Sequence, residues 1–399
     1  MEDEISQQVL LYGFIIAAII GFVGNKTQFC TMGAVSDWVN IGDKKRLRAW
    51  LLSIAVAILG VSILEIFQLI TIEVSRPPYR MDSLPVVRFI FGGILFGIGM
   101  TLASGCGNKT LIRIGGGNIK SLFVFLVCGL FAYLMTQTVF YKHFFHYWLS
   151  PLNIKLSDFG FNTQTLGELL LGPGTFPESN GLVGIILAVL IGIWIFYSVE
   201  FRKQYNLVLG GLVIGLSVVG GWYLTSGPMG KKWQESAEWM DQPPIGVGDQ
   251  SYTFINPMGE SLVYIQSGFN ELLLSFGVCS LAGVVLGSFL YSLISGTFYW
   301  EWFPTVKDFL NHTLGGMLMG IGGVLGMGCT IGQAVTGTST LSIGSFIVFF
   351  SILLGSALTM KTRYYLLFYE DDANLLKALL SALADFKLVP NSFRRLDPI

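Results

Sequence analysis

One apolar segment is written twice in this chain. Residues 91–109 read FGGILFGIGMTLASGCGNK, and residues 314–333 read LGGMLMGIGGVLGMGCTIGQ. A shift of 223 positions lays Gly92 and Gly93 on Gly315 and Gly316, Gly97 on Gly320, Gly99 on Gly322, and Gly105 and Cys106 on Gly328 and Cys329. A shift of 222, one residue shorter, lays LLSIAVAILGVSIL (51–64) on LLSFGVCSLAGVVL (273–286). The fold must therefore be built from two related halves. Each copy is a Gly-rich helix pattern that stops at a Gly-Cys turn, so Cys106 and Cys329 mark the chemical centre. Cys30 has no such partner, because position 253 is Thr.

The halves belong in a bilayer. Of 399 residues, 52% are hydrophobic and only 12% charged, against about 25% charged in a soluble domain. A spanning helix needs about 20 mostly apolar residues. Such segments lie at about 9–23, 49–72, 87–106, 121–141, 181–197, 207–224, 271–293, 312–329 and 342–360. The expected fold is an all-α polytopic membrane protein with about nine transmembrane helices, plus short re-entrant helices at the turns. Residues 1–364 form the membrane domain, with halves at 9–141 and 181–360. Residues 142–180 read as a mixed loop and 226–268 as a polar stretch. The two copies are the third and the eighth segments, an odd offset of five, which inverts the halves and puts the working site near the midplane, where broken helices meet.

Lys and Arg give the orientation. With the N-terminus outside, KKRLR (44–48), Lys109, Arg113, Lys120, Arg202, Lys203, Lys307 and the basic tail share one side, the cytoplasmic one by the positive-inside rule. The acidic start MEDEIS lacks the basic n-region of a cleaved signal peptide, so the first segment reads as retained. This predicts a cytoplasmic membrane protein with its C-terminus inside. In the 365–399 tail, residues 373–386 carry apolar residues at helical spacing but are too few to span. They read as an amphipathic helix on the membrane surface or against a small sulfur-carrier protein.

Several classes are excluded. A net charge of −1 offers no basic field for nucleic acid. The five cysteines form no CxxC pair and no zinc spacing. GNKT (107–110) lacks the spacing of a phosphate-binding loop, and no segment reads as a cofactor or ATP site. No nucleophile stands beside a base, so an enzyme is not expected. A membrane sulfur-transfer or redox protein using Cys106 and Cys329 is the alternative. A Cu(I)-type thiolate channel lacks Met and His at the turns.

The candidate path residues follow from this. Cys128 and Cys279 sit alone mid-helix and read as packing thiols. Cys30, Cys106 and Cys329 sit at helix breaks. Glycines there permit positive φ, and the freed N–H groups suit an anion. Gly105, Asn108, Gly328, Thr330 and Gln333 belong to these turns. Lys26, Gln28, Lys109 and Arg113 flank them; the cations either snorkel to the interface or attract anions into the path. His143, His146 and His312 lie at segment ends and read as interfacial.

The cysteine motifs resemble those of the YeeE/YedE membrane proteins over nearly the whole chain. NKTQFC is similar to Q-R-x-x-F-C, with Asn25 and Lys26 in place of Gln and Arg and with Phe29 and Cys30 retained. ASGCGNKTLIRIGGG is similar to A-G-G-C-x-x-G-x-x-Y-R-x-G-E-G; Gly105, Cys106, Arg113, Gly115 and Gly117 match, while Ser104, Lys109, Ile112 and Gly116 depart. GMGCTIGQ resembles G-G-C-S-I-G-N at Gly328, Cys329, Ile331 and Gly332. The resemblance implies an hourglass-like helical fold and a relay in which Cys30, Cys106 and Cys329 hand thiosulfate, or a related sulfur or selenium anion, inward.

Overall fold

The protein, in a computed structural model, is described over residues 2–72, 74–174, 178–370 and 373–397. The first half holds α1 Glu2–Lys26, α2 Thr31–Ser36, α3 Lys45–Ile66, α4 Val86–Leu102, α5 Gly107–Gly115 and α6 Ile119–Gln137. A connector carries the short α7 Tyr147–Leu149 and α8 Leu166–Leu171. The second half holds α9 Glu178–Phe196, α10 Val199–Arg202, α11 Tyr205–Ser226, α12 Pro228–Glu238, α13 Ile255–Gln266, α14 Phe276–Ser295, α15 Val306–Leu325, a wide helical turn Ile331–Gly337 and α16 Ile343–Phe368. The tail adds α17 Leu375–Asp385. Among the described residues the only sheet is a two-residue antiparallel pair, β1 Ser83–Leu84 with β2 Ile154–Lys155.

Each of the nine expected segments contains a helix, and among the described residues eight helices are long and apolar enough to cross a membrane. The ninth, α15, opens with Lys307, Asp308, Asn311 and His312, so its first turns are polar. The polar stretch 226–268 folds as α12 and α13, and α13 packs on α6 and α14. One expectation needs correction. The stretch 142–180 contains α7, β2 and α8 rather than irregular chain alone. Both regions are too polar or too short to show the apolar period of a span, so their helicity follows from what they pack against.

The repeated glycines fix the centre. A methyl built on Gly99 would stand 2.7 Å from the Gly315 carbonyl oxygen, and one on Gly322 would stand 2.6 Å from that of Gly92. The shift that carries Gly92 to Gly315 and Gly99 to Gly322 exchanges these two contacts, and they run in opposite chain directions. Helices α4 and α15 therefore cross antiparallel about a pseudo-twofold, backbone against backbone. The outer faces repeat the pattern. Gly93 meets α16 at the Val348 carbonyl, 2.8 Å away, and Gly316 meets α6 at that of Val124, 3.2 Å away. In lipid, small residues let helices approach this closely.

A buried ion pair ties the segment between α3 and α4. Arg80 donates from Nη1 to Glu65 Oε1 at 2.6 Å and from Nη2 to Oε2 at 3.0 Å, and also reaches the carbonyls of Ile72 and Thr340. The two side chains are only 1% and 7% exposed, so neither charge has water as a substitute. Replacing Glu65 by Ala should cost about 3–5 kcal/mol, the usual cost of orphaning one partner of a buried pair. A large fall in the Tm of detergent-purified protein is the expected result; an unchanged Tm would mean that the pair does not stabilise the fold.

The tail helix is placed by its polar residues. Asp385 takes hydrogen bonds or ion pairs from Tyr365 Oη at 2.8 Å, Arg394 at 2.7 Å and Lys361 at 3.5 Å. Ala378, Ser381 and Ala382 are buried, whereas Leu375 and Leu376 are exposed.

Candidate functional site

Three cysteines are delivered by three copies of one turn. Two residues before each cysteine, the chain takes a left-handed residue: Gln28 (φ 51°), Ser104 (φ 57°) and Met327 (φ 59°). The next N–H then bonds five residues back: Phe29 to the Gly24 carbonyl at 3.0 Å, Gly105 to Met100 at 2.9 Å, Gly328 to Gly323 at 2.7 Å. This is the bond of a Schellman helix end. The expectation that the turn glycines supply positive φ is thus corrected. Side-chain-bearing residues take the left-handed position, at roughly 1–3 kcal/mol of strain each. Gly105 and Gly328 instead leave room: a methyl there would press on Lys109 Cγ and on Gln333 Cγ, each at 3.3 Å.

After each turn a new helix begins at or beside the thiol. Cys30 caps α2, and its sulfur accepts from the Gly33 N–H at 3.4 Å. Cys106 occupies the same place before α5. Cys329 leads into the turn Ile331–Gly337, and its sulfur accepts from the Gly332 N–H at 3.4 Å. All three thiols are buried and none is in a disulfide.

The thiols are neighbours. Cys30 and Cys106 are within electrostatic reach of one another. The Thr31 hydroxyl lies 3.8 Å from Cys106 Sγ, and the Thr330 hydroxyl approaches the same sulfur. A methyl on Gly107 would lie 3.7 Å from Cys329 Cβ, so the start of α5 meets the Cys329 turn. The Gly332 N–H donates to the Cys329 sulfur, and the backbone of Phe254 and Ile331 lies near it. Here two broken helices present their N-terminal, partially positive ends to one buried spot. Asn108 is fully buried, and neither atom of its amide has a hydrogen-bond partner; Gln333 donates from Nε2 to the Gly326 carbonyl at 2.6 Å, but its Oε1 has none.

On the Cys30 side lies a cavity of about 280 Å³ lined by Asn25, Lys26, Gln28, Lys109, Arg113 and Asn118, among others. Lys109 donates from Nζ to Gln28 Oε1 at 2.6 Å. Lys26 and Gln28 are exposed, while Lys109 is 8% exposed. Two expected readings are therefore divided: Lys26 reaches solvent, and Lys109 stays beside the thiols. On the opposite flank a second cavity, about 160 Å³, opens among Arg76, Gln250, Ser251, Thr253, Asn256 and Glu260. Every path residue expected from sequence falls at the three turns or in the first cavity. Cys279 lies elsewhere, on α14, whereas Cys128 on α6 stands within electrostatic reach of Cys329.

Some neighbours were not legible in the sequence. Tyr79 donates its hydroxyl to the Gly332 carbonyl at 2.6 Å, bracing the Cys329 turn from a distant loop. Arg46 places Nη1 about 2.8 Å from a methyl built on Gly33, next to Cys30; in sequence it is one cation of a topogenic run. His312 is buried against Asp308 and far from the turns in sequence, while His143 and His146 lie in the connector.

Comparisons with known proteins agree in direction. Residues 26–358 match the family described as Sulphur transport. The chain is 25% identical over 356 residues to the protein named Thiosulfate transporter TsuA of Spirochaeta thermophila, covering 86% of this chain and 96% of that one. It is 25% identical over 369 residues to the Thiosulfate transporter TsuA of Escherichia coli, covering 87% and 92%.

Proposed function

The chain belongs to the sulphur transport family, and from that premise we propose that it imports thiosulfate, or a closely similar sulfur anion, along a path lined by Cys329, Cys106 and Cys30. It is a multi-pass membrane transporter of sulfur-containing anions rather than an enzyme. The finer reading rests on one observation: three buried thiols stand in succession at three like helix breaks, between two polar cavities.

An anion crossing a low-dielectric core must have its hydration replaced. Backbone N–H groups at the broken helix ends supply part of that replacement. Neutral thiols are weak donors and are themselves soft and polarisable, so they suit the terminal sulfur of thiosulfate. Weak, successive sites let the ion leave each one, which conduction requires. Lys109, Arg113 and Lys26 then receive it in the cavity beyond Cys30. This orders the path from the outside through Cys329, Cys106 and Cys30 to the cytoplasm, with the N-terminus outside, the 365–399 tail inside, and the tail lying on the inner face of the cytoplasmic membrane or against a sulfur-carrier protein. The names of the two relatives support the choice of thiosulfate.

The test is uptake of labelled thiosulfate and labelled sulfate by the same vesicles. Thiosulfate should exceed sulfate by about tenfold or more, the ratio that roughly 1.4 kcal/mol of preference produces. Equal uptake of the two ions would remove the argument from soft sulfur contacts.

A further inference from the structure

The duplication has a fourth position. The shift of 223 carries Cys30 to Thr253, and the two residues hold related places in the fold. Cys30 directly precedes α2; Thr253 lies two residues before α13. Thr253 packs on the Cys329 turn. A methyl built on Gly332 would meet Thr253 Cβ at 2.8 Å, and the Gly332 N–H is the one that donates to Cys329 Sγ. The carbonyl of neighbouring Tyr252 accepts from Thr336 Oγ1 at 2.7 Å, which ties this strand of chain to the same turn.

Thr253 also lines the cavity of about 160 Å³. Its hydroxyl is buried and has no hydrogen-bond partner within the protein, and the same is true of Asn256 Oδ1 in the same wall. A flip of the Asn256 amide exchanges that acceptor for a donor. An unmatched buried polar atom costs about 1–3 kcal/mol, so two of them on one small cavity point to a ligand that completes them. Arg76 and Glu260 line the same space. Glu260 also accepts from Ser275 Oγ at 2.5 Å. Thr253 and Asn256 are thus the groups of this wall left unmatched, beside the Arg76 cation.

We propose that Thr253 is the outermost donor of the anion path. Its hydroxyl, with the amide of Asn256, holds the oxygen end of a sulfur oxyanion while the terminal sulfur reaches Cys329. The proposal rests on the transport reading above and adds an orientation to it: the ion enters sulfur first. A hydroxyl is a stronger, harder donor than a thiol, so it matches sulfonate-type oxygen. The duplicated site is hard at its outer position and soft at the three that follow.

The experiment compares Thr253→Val and Thr253→Ser with the unaltered protein in proteoliposomes, reading KM and maximal rate for labelled thiosulfate. Valine keeps the shape and removes the hydroxyl. KM should rise about tenfold or more, with the maximal rate within about twofold, as for loss of one hydrogen bond to a charged group. Serine should restore a KM near that of the unaltered protein. Methanesulfonate, which has the three oxygens but no terminal sulfur, should inhibit the unaltered protein and inhibit Thr253→Val several-fold more weakly. An unchanged KM in Thr253→Val, with the unaltered protein active, would overturn the role of Thr253 and leave the transport reading intact. A raised KM that Ser does not rescue would overturn it as well, because the side-chain shape rather than the hydroxyl would then matter. If the unaltered protein takes up no thiosulfate, both readings fall together. Should Thr253→Val not fold, Thr253→Ala removes the same hydroxyl without adding bulk.

Discussion

Replacing Cys106 or Cys329 by Ala should each lower thiosulfate uptake by about a hundredfold or more. The reason is the geometry at the centre. Cys106 stands between Cys30 and the Cys329 turn, so removal of either Cys106 or Cys329 interrupts the succession. Leaving a buried ion without one partner costs at least roughly 2–3 kcal/mol, and about 1.4 kcal/mol is already tenfold. Ala fits the space, so the variants should purify as folded protein. Ser should rescue poorly, being smaller and harder than Cys. Cys30→Ala should also reduce uptake, by a smaller factor, because that thiol lies next to the cation-lined cavity. Cys279→Ala and Cys128→Ala should transport normally, the second despite its closeness to Cys329, because Cys128 packs within α6 against α15. Full uptake in the Cys106→Ala, Cys329→Ala double variant would end the relay reading and leave the twin turns as packing devices.

The largest expected effect on the fold comes from Gly99→Leu or Gly322→Leu. Both glycines face opposing backbone, not a side chain that can rotate away. A methyl on Gly99 would lie 2.7 Å from the Gly315 carbonyl oxygen and 2.8 Å from the Met319 nitrogen; one on Gly322 would lie 2.5 Å from the Phe96 nitrogen. Overpacking a core costs about 1–3 kcal/mol, and more where nothing can give. Each variant should lose the monodisperse gel-filtration peak, and the two should be similarly damaging, because the pseudo-twofold makes their surroundings alike. Gly192→Leu on α9 is the control: nothing lies within 4 Å of a methyl built there, and the change should be silent. If Gly99→Leu behaves like Gly192→Leu, α4 and α15 do not meet as closely as described.

Much of this protein was legible in its residues. Hydrophobic runs are additive along a chain, so nine helices, the tail helix and the membrane setting could be read from sequence order alone. The duplication located Cys106 and Cys329, and the resemblance placed Cys30 with them. What the sequence could not give was set by contacts between distant segments. The left-handed residues at the three turns are Gln28, Ser104 and Met327, which carry no local signal for positive φ; packing of the flanking helices holds them there. The helicity of α13 inside a polar stretch comes from its seat on α6 and α14. Tyr79 reaches Gly332 from 253 residues away, a separation no local pattern reports. Thr253 reads in sequence as a missing cysteine. Only the fold shows its hydroxyl unpaired on a cavity wall beside Cys329, since burial and hydrogen-bond accounting are properties of the assembled structure and not of the chain order.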